Sequence, residues 1–179
     1  MRQDIAKVLY SQEALEKRVA ELGAQITKDY AGKKLMVIGI LKGSNIFTSD
    51  LVRHIDLPLQ MDFMVVSSYG SATESSGVVR IIKDLDTSVE DTHLLIIEDI
   101  IDSGLTLHYL KENLLSRNPE SVKICTLLDK PSRRKEHVDV DYVGFEVPDE
   151  FIVGYGIDYA ERYRNLPYIG VLDRSVYEK

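Results

Sequence analysis

Apolar and polar positions repeat along this chain with two different periods. From Ser11, SQEALEKRVAELGAQI puts Leu15, Val19, Leu22 and Ile26 on one helical face. Ser11 is placed to cap that helix, and the early glutamates suit its positive end. LMVIGI (35–40) is a short continuous apolar run, the pattern of a strand buried on both faces. LKGSN breaks it, and NIFTSDLVRHI predicts a helix. MDFMVVSSY (61–69) predicts a strand that runs into the small polar stretch GSATESSG, and VVRIIKD (78–84) returns to strand. LLIIED (94–99) predicts a buried strand, LTLHYLKENLLSR the helix after it, and VKICTLLDK (122–130) the next buried strand. Shorter strand-like runs follow at YVGFEV, FIVGYG and YIGVLD.

Buried strands alternating with helices predict an α/β fold with a parallel sheet and ligands at the carboxyl ends of its strands. LKGS, EDIIDSGLT and LDK each close one of these strands. They are therefore expected to meet in one crevice.

Composition narrows the class. The 179 residues contain no repeat, low-complexity tract or Pro/Gly/Ser-rich linker, so residues 1–179 are expected to form one domain. No apolar run approaches the roughly 20 residues that cross a bilayer, and MRQDIAKVLY lacks the regions of a signal peptide. The single cysteine, Cys125, lies in VKICTLL as a core thiol, which fits a reducing, cytoplasmic setting. A net charge of −7 argues against a general nucleic-acid binder, and nothing suggests a membrane partner. It leaves room for a small anionic ligand in a locally positive pocket.

The chemistry concentrates at residues 98–106. A strand passing through Ser103, Gly104 and Thr106 into a helix offers backbone N–H groups and hydroxyls to a phosphate, helped by the helix dipole. Helix capping accounts for one of Asp102 and Ser103; it does not account for Glu98 and Asp99, whose burial without partners is costly. Those two carboxylates call for hydroxyl donors or a hard cation such as Mg²⁺. The Walker pattern GxxxxGK[ST] and the dinucleotide pattern GxGxxG are both absent. A ligand with a 5′-phosphate and vicinal hydroxyls fits the order of residues.

EDIIDSGLT resembles the phosphoribosyl-diphosphate motif of type I phosphoribosyltransferases. The resemblance implies that Glu98, Asp99, Asp102, Ser103, Gly104, Leu105 and Thr106 hold the phosphoribosyl group, with Glu98 and Asp99 also on Mg²⁺. Three further stretches resemble the hypoxanthine-guanine branch. LKGS (41–44) matches its diphosphate loop, in which Lys42 and Gly43 offer amides and the Leu41–Lys42 peptide can be cis; Ser44 stands where some relatives carry glycine. SSYGSATESSG resembles a mobile lid over about 68–78, marked by Ser68 and Tyr69, which are grouped with the diphosphate site. From LLDKPSRR to YIGVL, the family order implies Lys130 facing a purine 6-oxo group, Phe151 stacked on the ring and Ile152 offering backbone contacts. Asp158 would serve the purine site and Mg²⁺, and Arg164 the diphosphate.

The implied fold is the type I phosphoribosyltransferase fold: a central, mostly parallel sheet flanked by helices, with a hood built from the N- and C-terminal segments. The implied reaction moves the 5-phosphoribosyl group to N9 of hypoxanthine or guanine, with Asp102 as general base or acid at N7. Family members form dimers or tetramers, so a homodimer or homotetramer is expected. Two alternatives stand beside this: a phosphoribosyltransferase for another base, and a nucleotide-sensing regulator on the same fold. Adenine would want an acceptor in place of Lys130, and orotate a cationic pocket without Phe151. The charge of −7 gives a nucleic-acid-binding regulator little support.

Overall fold

Residues Leu35–Leu41 (β2) are buried on both sides, and the reason is the two layers that cover them. Leu35 and Val37 face one core with Leu15, Val19, Leu22 and Ile26 of α1 (Gln12–Asp29) and Phe47 and Leu51 of α2 (Asn45–Val52). Met36, Ile38 and Ile40 face the other, with Leu107, Leu110 and Leu114 of α3 (Leu105–Leu115). Alternate residues of one strand thus feed opposite cores. The computed structural model describes residues 1–68 and 79–178.

The main sheet runs β4 (Val79–Lys83), β3 (Leu59–Ser68), β2, β5 (His93–Ile101), β6 (Ser121–Asp129) and β7 (Tyr142–Glu146). All neighbours are parallel except β4, which pairs antiparallel with β3 at the edge. The expected α/β architecture with a mostly parallel sheet is therefore present. Adjacent β2, β5 and β6 bring LKGS, EDIIDSGLT and LDK to the same end of the sheet. Ser11 caps α1, its Oγ accepting the Ala14 N–H at 3.2 Å. No helix among the described residues is long and apolar enough to cross a membrane.

A second, antiparallel sheet joins the two ends of the chain: β1 (Ile5–Tyr10), β9 (Ile169–Leu172) and β8 (Ile152–Val153). β1 has no counterpart in the hydrophobic pattern. Its three middle residues are exposed, and it exists because β9, more than 150 residues later, supplies its hydrogen bonds. FIVGYG holds only two strand residues, since Gly154 and Gly156 turn the chain with φ of +104° and +100°. α2 stops at Val52, three residues before the apolar pattern ends. A final turn of helix, α4 (Arg174–Tyr177), is capped by Asp173. Tyr69 and the rest of the lid expected over 68–78 lie outside the described residues, as does the side chain of Ser68.

Candidate active site

A cavity of about 1050 Å³ opens between the end of the main sheet and the small sheet. Asp99, Asp102 and Ser103 from the β5–α3 stretch line it, together with Lys130 after β6 and Phe151, Ile152 and Asp158 from the C-terminal part. Residues predicted for the ribose, purine and cation roles therefore share one space. Glu98, Gly104, Leu105, Thr106, Lys42, Gly43 and Arg164 do not form its wall.

β5 runs on to Ile101, past the strand end expected at Asp99, so Glu98 and Asp99 lie within the strand and not at its end. The paired register of β5 and β6 skips Asp99. Its N–H instead donates to Glu98 Oε1 at 3.0 Å, and Asp99 Oδ1 accepts the Ile100 N–H at 2.7 Å. Burial, then the charge of Asp99, pushes the Glu98 carboxyl well above its ordinary range. Burial also raises Asp99, although bonds from Glu98 and the Ile100 amide and the nearby Arg164 charge oppose the shift. Two carboxyls that resist ionisation side by side form a place where a cation is favourable.

Mg²⁺ typically takes one or two carboxylates and completes its shell with water and substrate oxygens. Asp99 and Asp158 both face the cavity, Glu98 backs Asp99, and their hard oxygens suit that mode of binding. An all-protein cage is not what is built: among the described residues no group of three or more His, Cys, Asp or Glu converges on one point. Asp158 is engaged elsewhere, its Oδ1 lying 3.3 Å from Arg164 Nη2 and its Oδ2 accepting the Glu161 N–H at 2.8 Å.

The loop 102–104 is clamped from its far side. Ser103 O accepts the N–H groups of Lys135 and Glu136 at 2.8 and 3.0 Å, and Arg134 Nε donates to Asp102 O at 3.2 Å. Gly104 adopts φ +80° at the start of α3, where a side chain would meet Glu136 O at 2.7 Å. Its close approach is thus to the neighbouring backbone, which holds the loop open on its other side for a ligand. After β2 the Leu41–Lys42 peptide is cis. A Cβ at Gly43 would collide with the Asp99 carboxylate, and one at Gly156 with the Gly43 carbonyl. Ser44 is fully buried, and its Oγ lies 3.3 Å from Thr48 Oγ1, so the hydroxyl that replaces a glycine of some relatives is satisfied inside the protein.

On the purine side, Lys130 is 9% exposed. Its Nζ donates to Glu150 O at 3.1 Å and lies 3.6 Å from Asp102 Oδ1. The main chain before Phe151 thereby aims the ammonium into the cavity. Phe151 is 43% exposed, supported edge-on by Tyr159 at 5.3 Å and flanked by Tyr177 at 4.7 Å. An aromatic face left this open beside a pinned cation suits a flat heterocycle with an oxo acceptor. Arg164 binds Gly156 O at 2.8 Å and Glu161 at 3.2 Å.

Several wall residues escaped the sequence reading. Arg133 and Lys135 line the cavity, and the cationic run KPSRRK directly after a strand end was a signal available for them. Lys7, Glu150 and Tyr177 line it as well. Lys7 comes from the strand with no local pattern, and Tyr177 from the last residues, so neither had a sequence signature.

Comparison with known proteins agrees with this geometry. A family model described as the phosphoribosyl transferase domain matches residues 6–160. The hypoxanthine-guanine phosphoribosyltransferase of Bacillus subtilis is 63% identical over 178 residues, covering 99% of each chain. That of Streptococcus mutans is 55% identical over 179 residues, covering 100% of this chain and 99% of the relative. A crystal structure of a hypoxanthine phosphoribosyltransferase from Staphylococcus aureus superposes with a TM-score of 0.98 at 55% identity, covering 100% of this chain and 97% of that one. With the motif, the fold and full-length relatives in agreement, this chain belongs to the phosphoribosyltransferase family, in its hypoxanthine-guanine branch.

Proposed function

We propose that this chain is a purine-salvage enzyme that transfers the 5-phosphoribosyl group of phosphoribosyl diphosphate to N9 of hypoxanthine or guanine, giving the nucleoside monophosphate and diphosphate. One observation carries the assignment of base: Lys130 Nζ, pinned by Glu150 O, and the open face of Phe151 line the same cavity as Asp99, Asp102 and Ser103. A lysine donor pairs with a 6-oxo group and is opposed by a 6-amino group.

The bond from the anomeric carbon to the diphosphate oxygen breaks ahead of the new bond to N9, leaving positive charge on the ribose. Amides of Lys42 and Gly43 and the Arg164 guanidinium meet the negative charge that develops on the leaving group. Ser103, Leu105 and Thr106, at the start of α3, hold the 5′-phosphate, while Asp99, backed by Glu98, serves the ribose. Asp102 exchanges the proton at N7 of the purine, and Lys130 beside it keeps the carboxylate in place. Ile152 and Asp158 border the purine, and Ser68 and Tyr69 belong with the diphosphate. Glu98, Asp99 and Asp158 are the residues that would hold Mg²⁺, which supplies charge neutralisation to the diphosphate when bound. A homodimer or homotetramer in the cytoplasm completes the picture.

Purified protein, Mg²⁺ and phosphoribosyl diphosphate, mixed separately with hypoxanthine, guanine, xanthine and adenine, test the assignment through the ultraviolet shift of nucleotide formation. Magnesium-dependent turnover of 6-oxopurines with adenine untouched is expected. Turnover of adenine would remove Lys130 as reader of the base, and binding of phosphoribosyl diphosphate without turnover of any base would indicate a regulator.

A further inference from the structure

Glu161 sits in a turn whose backbone is held in an unfavourable region. Ala160, Glu161 and Tyr163 have φ of +50°, +61° and +78°, values that residues other than glycine seldom adopt. Asp158 fixes the turn by accepting the Glu161 N–H, and Tyr159 and Arg162 exchange main-chain bonds of 3.1 and 3.0 Å. The result is one carboxylate aimed at two cations. Glu161 Oε2 accepts from Lys42 Nζ at 3.2 Å, and Oε1 accepts from Arg164 Nη2 at 3.2 Å. Lys42 first and Arg164 second hold the carboxyl below its ordinary range.

Stability is a poor explanation for this arrangement. The Lys42 and Glu161 side chains are 69% and 65% exposed, and ion pairs in that setting contribute little. A strained turn that yields one weak surface pair and one pair to the partly buried Arg164 points towards function. Among the described residues, the buried Arg164 Nε has no hydrogen-bond partner, so its guanidinium is not saturated by the contacts it makes there. Lys42 and Arg164 flank the loop whose Gly43 carbonyl is covered by Gly156, and Arg164 grips that same Gly156. The Glu161 carboxylate, with one oxygen on each cation, has the form of a two-pronged anion seated at this loop.

Resting on the assignment of the Lys42 amide and the Arg164 guanidinium to the diphosphate, we propose that the Lys42 ammonium belongs to the same seat and that Glu161 is an internal anion occupying it until the diphosphate of substrate or product displaces it from both cations. A diphosphate carries more charge than one carboxylate and spans both cations, so it wins the exchange. The displaced carboxylate stays close by on its rigid turn. It repels the bound diphosphate and competes for its partners, which weakens product retention and speeds release. Glu161 thus sets the affinity of the site for diphosphate without touching the reacting atoms.

The test is calorimetric titration of the full chain with inorganic diphosphate at fixed Mg²⁺ and low ionic strength, for wild type, Glu161→Gln, Glu161→Asn and Lys42→Met. Asparagine tolerates the left-handed backbone, so agreement between the two Glu161 variants removes disturbance of the turn as a cause. Both are expected to bind diphosphate about threefold to tenfold more tightly than wild type, with a matching rise in product inhibition and a gain that shrinks as salt is added. Unchanged or weaker binding in variants that melt like wild type overturns the proposal. If Lys42→Met weakens diphosphate binding while the Glu161 variants match wild type, the internal anion is wrong and the diphosphate assignment stands. If Lys42→Met has no effect, the Lys42 ammonium is no part of the diphosphate seat and the internal anion falls, while the assignment of the Lys42 and Gly43 amides stands.

Discussion

The Asp99 carboxylate occupies the space that a β-carbon on Gly43 would need. This contact locks the turn after β2 to the acidic end of β5, and the constraint is steric: Gly43 does not require a left-handed backbone. Gly43→Ala is therefore expected to fold while pushing the Asp99 carboxylate off its position. A displacement of about 1 Å at a reacting centre costs on the order of 10²-fold in rate. Steady-state kcat/KM for phosphoribosyl diphosphate, with a melting curve as control, checks this; near-wild-type kcat/KM would show that the carboxylate moves freely and does not need that position.

Asp102→Asn keeps the size of the side chain and removes both the proton acceptor and the charge 3.6 Å from Lys130 Nζ. Phosphoribosyl diphosphate is expected to bind as before, because the backbone of the loop is held by Lys135, Glu136 and Arg134 and not by the Asp102 carboxylate. Turnover is expected to drop by about 10²–10⁴-fold, the usual contribution of general acid–base catalysis. Equal kcat for variant and wild type would remove Asp102 from proton transfer.

Gly23 is the point where α1 crosses the end of α2. An alanine there would bring its methyl 2.6 Å from His54 O and 2.8 Å from His54 C, and these are backbone atoms that cannot swing aside. Gly23→Ala gains helix propensity worth about 1 kcal/mol in a helix interior. Overpacking against a fixed backbone costs about 1–3 kcal/mol. The clash is expected to win, lowering the urea midpoint without changing the slope; a raised midpoint would show that the helices separate at little cost.

The parts of this fold readable from the sequence are those set by local pattern. β2, β5 and β6 are apolar runs long enough to be strands and bounded by turn residues, and their shared direction puts the three motifs at one end. β1 was not readable, because its residues are mostly exposed and its partner β9 is remote. The same division runs through the site. Asp99, Asp102 and Ser103 belong to one contiguous motif, whereas Glu150 enters through a carbonyl oxygen, an atom every residue possesses, and so has no signature. Glu161 looks like a surface charge until the turn at Asp158 shows where it is aimed.

The pH dependence of stability has two limbs of opposite sign. Burial raises Asp62, but the stronger combined effect of the Asp86 and Phe63 amides and Lys83 lowers it below the ordinary aspartate value of 3.8. Its contribution is present above that value and is lost as pH falls through the lowered one. Glu98 does the reverse. Its folded carboxyl titrates well above 4.5, so its stability is full below 4.5 and is lost as pH rises through the folded value. Without divalent cation, the melting temperature is therefore expected to be highest in weak acid, falling on one side as Asp62 protonates and on the other as Glu98 ionises beside Asp99. Asp62→Asn should flatten only the acid limb, and Glu98→Gln only the limb above the ordinary glutamate value of 4.5. Mg²⁺ added at the upper end should restore wild type more than Glu98→Gln, since a cation favours the ionised pair. Parallel profiles for wild type and Glu98→Gln, with equal responses to Mg²⁺, would mean that the two carboxyls ionise without strain and that the cation binds elsewhere.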